Sequence, residues 1–135
     1  MEKYKKMHIW IGNSDIPENE YLHYFQLDYS TEGDFEDTEY KLCQFCKDIG
    51  TKWYDEDFIG IIPVLKKSVP IIEILKEIPI NQNEIEKVIS VCTEMELSIV
   101  NAVFYYIDSE LILQKPYKNN YNNLKYIGLF DSYLQ

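Results

Sequence analysis

Three groups of residues have the types and spacing to do chemistry. Cys43 and Cys46 form a C-x-x-C. Such a pair suits zinc, disulfide exchange, or simple packing beside Phe45. Structural zinc takes four ligands, and Cys92, His8 and His23 lie far off in no recognisable pairing. A redox pair belongs between a strand and a helix start, whereas both cysteines here read as part of one short helix, so packing is the expectation. The second group is the acidic run Asp28 to Glu39. Asp28, Ser30, Glu32, Gly33 and Glu39 fall on the first, third, fifth, sixth and twelfth positions of an EF-hand loop. Ser30 is a weak ligand, Glu32 is long for its place, and no second copy exists to pair with it. The third group is Asp55, Glu56 and Asp57, which suit either acid–base work or an exposed turn. His8 reads as a strand residue and His23 as a helix residue. No nucleophile elbow, phosphate-cradling glycine loop or H-E-x-x-H accompanies them, so neither an enzyme nor a resident metal or cofactor is expected.

The setting of these acids points away from catalysis. Between Asp28 and Asp57 lie ten of the 23 carboxylates against three lysines, with Tyr29, Phe35, Tyr40, Phe45, Trp53 and Tyr54 among them. A solvated loop needs the charge but not the rings; a core needs the rings but cannot hold unpaired charge. A surface that grips something basic uses both. The net charge is −10 and all 13 basic residues are lysine. Without arginine, the usual bidentate ligand of phosphate and guanine, nucleic acid is not the expected partner. Asp34, Glu36, Asp37, Asp55, Glu56 and Asp57 are the candidates for steering a basic partner. Trp53 and Tyr54 are the candidates for anchoring it, and a core-capping role for Trp53 stands beside that reading.

The elements that position these groups follow from periodicity. Lys6 to Gly12 alternates as a strand. Ser14 or Asp15 is placed to cap a helix with Pro17 in its first turn and Tyr21, Leu22 and Phe25 facing inward. A helix over about 40–49 buries Leu42, Phe45, Cys46 and Ile49, and Gly50 is its left-handed stop. Phe58 to Leu65 reads as a strand, with Pro63, which removes a donor, placing its end at a sheet edge or a bulge. Pro70 to Ile78 is a short helix. Asn81 and Glu84 form a capping box for a helix over about 82–96. Residues 99–107 give the strongest strand signal, turning at Asp108 and Ser109 into Leu111 to Leu113. Leu124 to Phe130 is the last strand. The expectation is one α+β domain over residues 1–135, with a largely antiparallel sheet of four to five strands packed with three to four helices. No segment suits a signal peptide or a membrane span, and three cysteines suit reduced thiols, so the expected location is the cytoplasm.

Several segments carry a resemblance. M-H-I-W-I-G-N (7–13), Y-F-Q-L-D-Y (24–29), the block from Cys43 to Gly60, N-A-V-F-Y-Y (101–106), P-Y-K (116–118) and Y-N-N-L-K-Y-I-G-L-F (121–130) resemble the immunity protein 22 family of bacterial polymorphic toxin systems. The block from Cys43 to Gly60 is the most specific. Asn123 stands where that pattern has glycine, and asparagine also tolerates a left-handed turn. The resemblance implies a protein encoded beside a toxin, which binds it and protects the producing cell. Many such toxins are nucleases with basic clefts. It implies no catalytic residues and does not say which positions touch the toxin. The expected partner is therefore a cognate toxin with a basic surface, with neither nucleic acid nor membrane. A calcium-responsive binding module built on residues 28–39 is the alternative.

Overall fold

The computed structural model describes residues 2–31, 34 and 36–133. In chain order the elements are β1 (Lys6–Gly12), α1 (Glu18–His23), α2 (Gln44–Ile49), β2 (Ile59–Ile61), β3 (Val69–Pro70), α3 (Ile71–Ile74), α4 (Ile85–Glu94), β4 (Ile99–Val100), β5 (Ala102–Ile107) and β6 (Leu124–Asp131). The main sheet has the order β2-β5-β1-β6 and every pairing in it is antiparallel. β3 and β4 form a second, two-stranded antiparallel sheet. The fold is α+β, as expected. No helix among the described residues is long and apolar enough to cross a membrane.

β1 decides the layers, because its side chains alternate between the two sheet faces. Met7, Ile9 and Ile11 point into an aliphatic core shared with Ile71, Ile74, Leu75, Val88 and Cys92 from α3, its following turn and α4. Trp10 points the other way, into an aromatic core with Tyr21, Tyr24, Phe25, Phe45, Tyr54, Phe104 and Tyr126. Trp10 is paired with Phe104 on β5 and Tyr126 on β6. Its ring stacks on Phe104 at 4.7 Å between centroids and tilts over Tyr126 at 5.3 Å. Each such ring buries on the order of 150–250 Å².

β6 serves both cores through a slip in register. Ile9 pairs with Gly128 but Trp10 pairs with Tyr126, so Ile127 is one residue extra. A one-residue slip moves a side chain to the opposite face. Leu124 and Tyr126 thus enter the aromatic core, while Ile127 and Phe130 enter the aliphatic one. Gly60 on β2 has a steric reason: a Cβ there would lie 2.0 Å from Cε1 of Tyr105, its partner on β5.

Several expected elements take a different form. Pro17 stands at the N-cap of α1 without a side-chain cap, and Leu22 is exposed. Ser14 is instead clamped by Asn101, whose Oδ1 accepts from Ser14 N–H at 2.8 Å and whose amide donates to the Ser14 carbonyl at 2.9 Å. That clamp sits where the run 99–107 breaks into β4 and β5, which belong to different sheets. Residues 111–113 are not a strand. Asp108 Oδ1 accepts from the N–H groups of Glu110 and Leu111, which closes a local turn instead. The second half of the capping box is absent because Glu84 accepts from Asp131 N–H at 2.8 Å and pairs with Lys87.

Candidate partner-binding surface

The surface begins at α2. Cys43 is its N-cap, with Sγ accepting from Cys46 N–H at 3.3 Å. Gly50 ends it in the left-handed conformation at φ 79°. Phe45 on the inner face of α2 packs edge-on against Tyr54 at 5.1 Å and against Trp10 at 5.6 Å. The chain leaving Gly50 therefore lies across the aromatic core, and its two large rings part company. Trp53 is 42% exposed, whereas Tyr54 is 2% exposed. Tyr54 also meets Tyr106 edge-on and donates its hydroxyl to the Phe25 carbonyl. It is thus a core residue that fixes the strand entry, and Trp53 is the ring left on the surface.

The acids are built into turns. Asp34 Oδ1 accepts from Glu36 N–H, Asp37 Oδ1 from Glu39 N–H, and Asp55 Oδ1 from Asp57 N–H. In each case a short carboxylate satisfies the backbone two residues on. Asp55 is half-buried, with its own N–H donating to Tyr106 Oη at 3.0 Å, while Asp34, Glu36, Asp37, Glu56 and Asp57 are exposed.

Three side-chain contacts bring the two ends of the acidic block side by side. Tyr29 donates its hydroxyl to Glu56. Lys52 Nζ reaches Glu36 Oε1 at 2.7 Å, and Tyr40 Oη donates to the Lys52 carbonyl at 2.6 Å. The bond to Glu56 raises the Tyr29 hydroxyl to about 12. Tyr29 and Glu36, before α2, are thus held beside Glu56 and Lys52, after it, with exposed Trp53 and Asp57 next to them in the chain.

For the calcium alternative, Glu32 and Gly33 lie outside the described residues, as does Phe35. Asp28, the first expected ligand, directs Oδ1 to Ser30 N–H at 2.9 Å and Oδ2 to Lys41 N–H at 2.8 Å. Those donors hold its carboxyl below the usual carboxylate range, the Ser30 side chain contributing most. They close the loop at the place where a cation would bind. α1 ends at His23 and α2 begins at Gln44, so neither helix abuts the loop as an EF-hand requires. Among the described residues no cluster of three His, Cys, Asp or Glu side chains is arranged to hold a metal.

Two buried polar side chains tie together elements on the aromatic side of the sheet, and their spacing gives no signal of it. The Asp48 side chain is 5% exposed and accepts from Tyr24 Oη at 2.6 Å, Gln44 Nε2 at 2.8 Å and Lys118 Nζ at 2.6 Å. It joins α2 to the end of α1 and to the P-Y-K segment 116–118, 70 residues away in sequence. His8 is buried, with Nε2 at 3.0 Å from the Asp108 carbonyl and Nδ1 at 2.7 Å from Tyr126 Oη. A carbonyl only accepts, so Nε2 carries the proton and Nδ1 accepts from Tyr126. Burial holds the ring's pKa below 6.5, which makes His8 a neutral structural residue. After Tyr121 the chain reverses through Asn122 and Asn123, at φ 59° and 73°, and Tyr121 and Leu124 exchange both backbone hydrogen bonds. Two consecutive left-handed residues are what a tight hairpin turn needs, so Asn123 meets the demand that glycine meets elsewhere.

Fold and surface together define a small, acidic α+β domain with two sheet faces of unlike chemistry. The chain matches the family described as Immunity protein 22 over residues 7–132 of its 135, and it belongs to that family. No curated protein and no solved structure matches it.

Proposed function

We propose that this chain binds a cognate bacterial toxin directly and blocks it, protecting the cytoplasm of the cell that makes both. Membership of an immunity protein family carries the toxin-neutralising role. The observation that supports the acidic face as the contact is the joining of the segments before and after α2 by Tyr29–Glu56 and Lys52–Glu36, with Trp53 exposed beside Lys52 in the chain. That face fits a toxin with a basic surface, such as a nuclease cleft. Asp34, Glu36, Asp37, Glu56 and Asp57 steer the approach, and carboxylate fields of this kind raise association rates by ~10-fold to 10³-fold. Trp53 supplies the anchor. Asp55 and Tyr54 act beneath it, Asp55 by capping the turn and Tyr54 by pinning that turn to the core.

The test is co-production with the toxin domain encoded beside it, together with calorimetric titration of the two purified proteins. The expected result is rescue of growth and a tight complex. Failure of the chain to bind that toxin, with the chain folded, overturns the proposal.

A further inference from the structure

We propose that Cys43 and Cys46 form a redox-active dithiol, with Cys43 attacking a low-molecular-mass disulfide and Cys46 resolving the product into an intrachain bridge. The geometry carries this. The two residues sit on consecutive sides of one helix start, Cys43 at the N-cap and Cys46 in the first turn. Cys46 donates its backbone N–H to Cys43 Sγ at 3.3 Å. Cys43 Sγ therefore lies over the backbone of the turn that carries Cys46.

Access separates their roles. Cys43 lines a solvent-open cleft of about 860 Å³ between the end of α1, residues 27–29 and α2, with Lys41 and Lys47 also in its wall. Cys46 is fully buried beneath it. The two lysines suit the carboxylates of a glutathione-type disulfide. Hydrogen bonding with Cys46 lowers Cys43 below the ordinary thiol value, and the same interaction with Cys43 raises Cys46. Both sulfurs are buried, but the one that borders the cleft is thus the readier nucleophile and the deeper one holds its proton more tightly. Cys92 supplies the internal contrast: it lies in the aliphatic core and burial pushes it up to about 12.

The exchange balances. The Cys43 thiolate attacks one sulfur of R–S–S–R, forming Cys43–S–S–R and releasing RS⁻, which takes up a proton. Cys46 then loses its proton to solvent and attacks Cys43 Sγ, releasing the second RS⁻. Two protein thiols are oxidised and one small disulfide is reduced to two thiols.

The experiment incubates the full chain with oxidised glutathione under native conditions, quenches with an alkylating agent and maps the peptides. The expected product is a Cys43–Cys46 disulfide with Cys92 still a thiol, Cys43 reacting more than ~100-fold faster than Cys92. Cys46→Ser should accumulate the Cys43–glutathione mixed disulfide. The rate of that first step should rise at a pH below the ordinary thiol value of 9.0. Equal reaction at Cys43 and Cys92, or no bridge in the folded wild-type chain, overturns the proposal. The wild-type map decides the matter even if a cysteine variant fails to fold.

Discussion

On one face of the sheet Trp10, Phe45, Phe104 and Tyr126 pack ring against ring; on the other, Ile9, Ile74 and Val88 pack methyl against methyl. Both faces are buried, yet they differ in what their side chains carry at their tips. Tyr24, Tyr54, Tyr106 and Tyr126 each bring a hydroxyl that must find a partner, and they find Asp48, the Phe25 carbonyl, the Asp55 N–H and His8. The aromatic face is thereby wired to the loops above it, including the turn that exposes Trp53. The fully buried residues of the aliphatic face have no such tips and serve to hold the sheet. One layer stabilises the fold, and the other also positions the proposed contact surface.

Core substitutions probe that contrast most strongly. Phe104→Ala should cost about 4 kcal/mol and Ile74→Ala about 3 kcal/mol in urea unfolding, since both side chains are fully buried. The milder Phe104→Leu should weaken toxin binding as well as stability, whereas Ile74→Val should lower stability alone. Equal effects of the two mild variants on affinity would erase the distinction between the faces.

Asp48→Ala comes next, at about 2 kcal/mol, because it strands Tyr24 Oη and Lys118 in one step. Lys118→Met should cost less than ~1 kcal/mol, since half of that side chain is already in water. Equal costs for the two variants would show that Asp48 is not the hub.

The His8 pair gives a pH signature to the aromatic face alone. Folding holds His8 neutral, with Tyr126 and Asp108 as the polar groups facing its ring. Its contribution is therefore whole above pH 6.5 and is lost as the pH falls from there through the lowered folded value. The slope should reach at most about 1.4 kcal/mol per pH unit. Asp28 and Glu84, held below their ordinary values of 3.8 and 4.5, lose their contributions only in more acidic solution. His8→Asn should flatten the fall in stability that sets in below pH 6.5, and an unchanged slope would refute the assignment.

Much of this layout is legible in the chain. β1 shows its alternation from Met7 to Ile11, and Gly50 marks the end of α2 through its φ requirement. What the spacing hides are contacts across long sequence separations. The Asn101–Ser14 clamp divides a continuous apolar run, and the Asp48–Lys118 pair joins two motifs that read as unrelated. Trp53 and Tyr54 are adjacent and alike in composition, so only the packing of Phe45 and Tyr106 decides which ring turns inward. The acids from Asp34 to Asp57 were legible as charge, but not as turn caps, because capping depends on backbone conformation.

The central claim is that the face around Trp53 meets a basic toxin. Its most direct test is the association rate with the toxin proposed as its partner, as a function of ionic strength, for the wild-type chain, Asp57→Lys and Trp53→Ala. The wild-type rate should fall steeply with salt, and Asp57→Lys should slow it by ~10-fold at low salt with the melting temperature unchanged. Trp53→Ala should leave the association rate near that of the wild type and speed dissociation. Association that is insensitive to salt and to Asp57→Lys, with dissociation unmoved by Trp53→Ala, would contradict the account.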